Sequence, residues 1–206
     1  MIRVDVIAML EIEMKFRVEN AQAYEALLKD AQGVEFGAPL FESDVFFTNA
    51  ALGFPNEGKS LRVRRSGDLL ATTFKGPRLD STTKAREEIE LSLASKGCDE
   101  ATLDKTRDDW IRFYERLGFQ PFGTVEKTRR RARTVFAGRE FEITLDVVDS
   151  LGVFTELETL APQEEFAEAR AVLLALADKL GLRDTITKSY LALTLEASTG
   201  RAVVEK

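Results

Sequence analysis

Glu11, Glu13, Lys15 and Arg17 alternate with Ile12, Met14, Phe16 and Val18 near the start of this 206-residue chain. Successive side chains of an extended strand point to opposite faces, so the four charges share one face and the four apolar groups the other. The same phase recurs further along. Arg62 and Arg64 lie opposite Leu61 and Val63, Lys75 opposite Phe74, and Glu88 and Glu90 opposite Ile89 and Leu91. Lys127, Arg129, Arg131 and Arg133 are in phase with one another, Asp146 opposes Leu145 and Val147, and Glu156 and Glu158 form another i, i+2 pair. An antiparallel sheet with one wet side would give this alternation without any function. A closed barrel would instead turn every charged face inward, with helices covering the apolar faces. Burying so many charges is costly unless they pair, bind ions or hold a charged ligand. A polyphosphate satisfies that demand economically: cations grip its oxygens, and carboxylates hold a divalent metal that bridges to them.

Other chemistries are excluded by composition. The chain contains no histidine, which removes serine–histidine and cysteine–histidine catalysis, imidazole zinc sites and histidine bases together. Any metal must be held by oxygen ligands, which favours magnesium or manganese. The single cysteine, Cys98, cannot form an intramolecular disulfide and has no histidine to activate it, so a reducing cytoplasm is expected. The balance of 29 basic against 35 acidic residues, a net −6, argues against broad nucleic-acid binding. The opening MIRVDVIAML is too short and acidic for a signal peptide, and no apolar run approaches a membrane span.

The elements that must position these residues follow from periodicity. After the first strand, Ala23, Tyr24, Leu27, Leu28 and Ala31 have helical spacing and Gly33 ends the run. PLFESDVFFT is expected to form a strand, SLRVRRS and LLATTFKGP a hairpin about Ser66–Gly67–Asp68, and TKAREEIELSL another strand. Asp99–Leu117 and Gln163–Leu180 form helices. Trp110 and Tyr114 fall on the apolar stripe of the first, where core packing outweighs base stacking. GTVEKTRRRARTVFA, EFEITLDVV and GVFTELETL are three successive strands, and KSYLALTLEA is ambiguous between strand and helix. No linker or repeat divides the chain, so one domain is expected over 1–206, of α+β class. No glycine-rich phosphate loop follows a strand.

The ordered series EIEMK, LRVRR, FKGP, REEIEL, EKTRRRA, ITLDVVDSLGVFTELE and KSYLAL resembles the CYTH, or triphosphate tunnel metalloenzyme, superfamily across residues 9–195. The resemblance implies an eight-stranded antiparallel β-barrel, polar inside, that binds triphosphate compounds with magnesium or manganese. It implies that Glu11, Glu13, Glu156 and Glu158 form the metal side, with Asp146 completing it, and that Glu11, Glu13 and Glu156 serve catalysis. Lys15, Arg62, Arg64, Lys75, Lys127 and Arg129 correspond to the phosphate grip. Glu88 and Glu90 match a middle acidic strand of unassigned role, and Arg130 matches no inward phase. The stretch LGFQPFGTVEKTRRRA and its sequel LGVFTELE are most similar to the class IV adenylyl cyclase branch, whose members are often dimers. That branch implies conversion of ATP to cyclic AMP and pyrophosphate. Inorganic or thiamine triphosphatase activity uses the same grip, and a non-catalytic polyphosphate-binding module is the remaining alternative.

Overall fold

The computed structural model describes residues 9–55, 58–79, 83, 85–94 and 97–199. Readings of the first eight residues and of the tail after Thr199 lie outside them. Eight strands, β1 (Met9–Arg17), β2 (Leu40–Thr48), β3 (Ser60–Ser66), β4 (Leu69–Lys75), β5 (Arg86–Ser92), β6 (Gln120–Phe136), β7 (Arg139–Val148) and β8 (Gly152–Pro162), close into an antiparallel barrel in the order β1-β5-β4-β3-β2-β6-β7-β8. The expected barrel is therefore present, and it settles the opening ambiguity. Glu11, Glu13 and Lys15 are only 2, 6 and 1 % exposed, while Leu10, Ile12, Met14 and Phe16 on the opposite face are buried as well. A wet sheet cannot bury both faces of one strand.

Four helices cover the outside. α1 (Ala21–Gln32) and α3 (Phe166–Lys179) press Tyr24, Leu28, Leu173 and Leu176 onto Ile12, Met14, Phe141, Ile143 and Leu157. α2 (Glu100–Arg116) sets Leu103, Trp110 and Tyr114 against Phe47, Leu61 and Val63, so the two aromatic residues belong to the core, as expected. Helix ends follow local chemistry. Asn20 and Asp99 accept the Ala23 and Thr102 amides at 3.0 and 2.8 Å as N-caps, and Gly33, at φ 64°, supplies the left-handed residue that ends α1. α3 starts at Phe166 rather than Gln163, because Gln163–Glu165 form a tighter 3-10 turn after Pro162.

The ambiguous tail is helical. α4 (Tyr190–Thr199) begins where Ser189 Oγ accepts the Ala192 amide at 3.1 Å, and it packs Leu191 with Val125, Val148 and Phe154. Gly123 on β6 permits this approach, since a Cβ there would come within 2.7 Å of Leu191 Cδ1. Arg17, in phase with Lys15, leaves the lumen: its Nη1 donates to the Leu151 carbonyl at 2.8 Å and its guanidinium lies over Phe154. Arg130 lies outside, bonded to Glu25 at 2.6 Å. Among the described residues no helix is long and apolar enough to cross a membrane.

Candidate functional site

A cavity of about 1030 Å³ runs through the barrel, and every strand but β7 contributes at least two residues to its lining. Its charges sort into two zones. The basic zone gathers Lys15 from β1, Arg62 and Arg64 from β3, and Lys127 and Arg129 from β6. Two of these arginines are held side-on by a buried aspartate on the neighbouring strand. Arg64 donates Nε and Nη2 to Asp44 at 2.6 and 2.7 Å, and Arg129 donates Nε and Nη2 to Asp146 at 2.7 and 2.5 Å. Such forks fix the plane of a guanidinium as well as its position. Lys127 reaches Glu42 at 2.9 Å and Asp44 at 3.4 Å, and Arg131 reaches Glu42 at 2.5 Å. Lys15 pairs with Glu156 at 3.3 Å, and Arg129 Nη2 also contacts Glu156.

These counter-charges decide ionisation. Burial alone would raise the Asp44 carboxyl, but Arg64, Lys127 and Arg62 hold it well below its ordinary value, and Glu42 is held down likewise by Arg64, Lys127, Arg129 and Arg131. Burial and the flanking Arg64 and Arg129 lower Lys127, whereas Asp146 and Glu156 outweigh burial and raise Arg129. The Tyr190 phenol is pushed up by burial and by the Glu156 and Asp146 charges, so it stays protonated; it donates to Asp146 Oδ2 at 2.8 Å.

The second zone is acidic. Glu13 faces Glu158 across β1–β8, and Glu158 faces Glu142 across β7–β8. Glu11 adjoins this row. It receives Lys75 Nζ at 2.7 and 2.5 Å, and that contact, with Arg86 and Arg62, lowers it despite burial. Lys75 also meets Glu88 at 2.7 Å, and Thr73 Oγ1 donates to Glu90 at 3.0 Å. Glu158 has the opposite fate. Burial, then the charges of Glu11, Glu13 and Glu142, push it up to about 8, so at neutral pH it keeps a proton. The excess of negative charge is local to this row: burial is the main reason Glu158 stays protonated, and the neighbouring carboxylates add to it. The row's donors are oxygens, as a hard divalent ion requires. The residues fit such an ion by charge and donor type. Among the described residues no three acidic groups converge on one point, and Glu11 is committed to Lys75.

The sign of the Glu158 shift sets a pH dependence. Its folded value, about 8, lies above the ordinary 4.5, so the folded chain retains a proton that the unfolded chain has lost. The corresponding stability is full below the unfolded value and is lost as pH rises through the folded one. In EDTA, Tm of the wild type is expected to fall relative to Glu158→Gln between about pH 5 and 8, the two meeting at low pH. Parallel Tm curves over that range would show that Glu158 is solvated.

Of the residues singled out from sequence, Glu11, Glu13 and Glu158 share the acidic zone. Glu156 and Asp146 sit instead against Arg129, and Asp146 lies fully buried beneath it. Lys15, Arg62, Arg64, Lys127 and Arg129 come together, and Lys75 stands on the acidic side with Glu11. Glu42, Asp44, Arg86, Glu142 and Tyr190 line the same cavity and were not singled out. For Glu42 and Asp44 a signal existed, since they share a face opposite Phe41, Val45 and Phe47.

A closed antiparallel barrel whose lumen carries buried charges of both signs, with helices outside, defines a class of protein, and the comparison is direct: residues 9–190 match the CYTH domain, and the chain belongs to that family. Its members bind triphosphate substrates and generally depend on a divalent metal. A Methanocaldococcus jannaschii protein carrying the provisional name of an adenylate cyclase is 27% identical over 188 residues, 90% of this chain and 98% of that protein. The adenylate cyclase CyaB of Aeromonas hydrophila is 25% identical over 203 residues, 92% of this chain and 91% of that one. A Pyrococcus horikoshii protein of solved structure superposes with a TM-score of 0.73 at 30% identity, covering 90% of this chain and 98% of the other.

Proposed function

We propose that this protein is a metal-dependent enzyme acting on a triphosphate-bearing nucleotide, and that it converts ATP to cyclic AMP and pyrophosphate. The observation that carries the reading is the division of one buried lumen into a cationic and an acidic zone. The triphosphate lies among Lys15, Arg62, Arg64, Lys127 and Arg129, and Lys75 reaches it from the acidic side. Glu13 and Glu158, with Glu142 beside them and Glu11 once it parts from Lys75, would hold the divalent ion. Bound there, the ion supplies Lewis acidity at the reacting phosphorus and makes the attacking hydroxyl more acidic. The ribose 3′-oxygen forms a bond to the α-phosphorus and gives up its proton to solvent. The bond from that phosphorus to the oxygen bridging to the β-phosphate breaks. Pyrophosphate leaves, its growing charge held by the arginines and lysines.

Two observations support a nucleotide over bare triphosphate. The cavity, about 1030 Å³, is at the upper end of the roughly 300–1,000 Å³ usual for small-molecule pockets, and Phe46, Phe122 and Leu191 form an apolar wall that an inorganic ion would not need. The name of the Aeromonas relative points the same way. The test is incubation with ATP, inorganic triphosphate and thiamine triphosphate, each with magnesium or manganese, followed by product identification. Cyclic AMP with pyrophosphate, abolished by EDTA, is the expected result. Orthophosphate from inorganic or thiamine triphosphate would replace the cyclase by a triphosphatase. Retention of ligand without turnover would make the protein a binding module.

A further inference from the structure

α4 carries no charge into the lumen at its start, yet its first residue touches both sides of the phosphate grip. Tyr190 donates its hydroxyl to Asp146 Oδ2 at 2.8 Å, on the carboxylate whose two oxygens take Arg129 Nε and Nη2. The same ring lies under Lys15, whose ammonium is 3.6 Å from the ring centroid. Arg129 comes from β6, Asp146 from β7 and Lys15 from β1, so one phenol joins three strands. Its own placement is set from outside these contacts. Ile186 N donates to the Lys15 carbonyl at 2.7 Å, tying the approach to α4 onto β1. Phe154 meets the ring edge-on with centroids 5.3 Å apart, and Ser189 caps the helix.

We propose that Tyr190 is a positioning residue for the phosphate grip: its hydroxyl locks the Arg129 fork through Asp146, and its ring face seats the Lys15 ammonium. The inference rests on the reading of the lumen as a triphosphate site. A guanidinium held by one carboxylate can still swing with it, and a further hydrogen bond to that carboxylate, here on the Oδ2 that also accepts Arg129 Nη2, removes the swing. An ammonium over an aromatic face keeps its charge while losing little freedom to reach a phosphate oxygen. Pre-setting both cations reduces the ordering cost that substrate binding would otherwise bear.

The test is calorimetric binding of inorganic tripolyphosphate at low salt in EDTA, so that no turnover occurs, with Tm measured for each variant. Tyr190→Phe removes the hydroxyl and keeps the ring; its Kd is expected to rise about three- to tenfold. Tyr190→Leu loses the ring face too and is expected to bind more weakly than Tyr190→Phe. If the hydroxyl acts through Asp146, adding Tyr190→Phe to Asp146→Asn changes Kd by less than about twofold. A residue that merely fills the core would lower Tm and leave Kd in place. Wild-type binding with both Tyr190 variants within twofold of it, or additive effects in the double variant, would overturn the role of Tyr190 alone. Wild type that does not bind tripolyphosphate would overturn the triphosphate site itself, and this inference with it.

Discussion

Glu13→Gln and Glu158→Gln are each expected to cut turnover by about a hundredfold or more, and Glu158→Gln to do so while leaving Tm at pH 7 unchanged or higher. The two side chains face one another across β1 and β8, with Glu142 next in the row and Glu11 adjoining. Glu158 is held protonated at pH 7 by burial and by the charges of Glu11, Glu13 and Glu142, so a neutral amide in its place takes no counter-charge from the ligand-free fold. The same substitution takes a donor from the divalent ion. Loss of activity without loss of stability is therefore the mark of a site maintained for its ligand. Because both residues serve one ion, the double variant should be little worse than either single one. Steady-state turnover at saturating and limiting manganese, with Tm alongside, measures all of this. Near-normal turnover in both single variants at limiting metal would rule the acidic row out as the metal side.

Asp44 should behave in the opposite way. It is buried against Arg64, Lys127 and Arg62, and no metal role attaches to it. Asp44→Asn leaves those cations short of a counter-charge, and breaking a buried pair in this manner costs about 3–5 kcal/mol. Tripolyphosphate can supply the missing charge. Urea unfolding in EDTA is expected to show the variant strongly destabilised, and added tripolyphosphate should restore it by more than it stabilises the wild type. Equal increments for the two proteins would mean that ligand and Asp44 do not share partners.

The contrast between these residues shows what the sequence could reveal. Glu11, Glu13 and Lys15 were legible because strand geometry puts alternate side chains on one face, and the apolar residues between them are uniformly large. Glu42 and Asp44 follow the same rule, but their inward face continues into Phe46, while Ser43 sits on the outward one, which blurs the contrast. Phase also gives a face without a height. Glu156 and Glu158 point into the same lumen, yet one meets Lys15 and Arg129 and the other Glu13 and Glu142. That difference depends on the stagger of strands around the barrel, which no single strand encodes. Tyr190 was invisible for a further reason: its partners come from three strands distant in the chain, and a helix start carries no periodic signal for them.

The position of β1 between β5 and β8 has a consequence for how the protein is made. Leu10 lies beside Ala161 on one side and Glu87 on the other, so the first strand cannot be enclosed until the last strand exists. A chain leaving the ribosome therefore carries Glu11, Glu13 and Lys15 in water through most of its synthesis. Pairings between residues so far apart in sequence are reached slowly, since their loop-closure entropy is incurred before any contact rewards it. Closure then dehydrates the charges together and creates the lumen in the same event. The site is not a feature added to a finished barrel, because before the seam closes there is no inside for it to occupy.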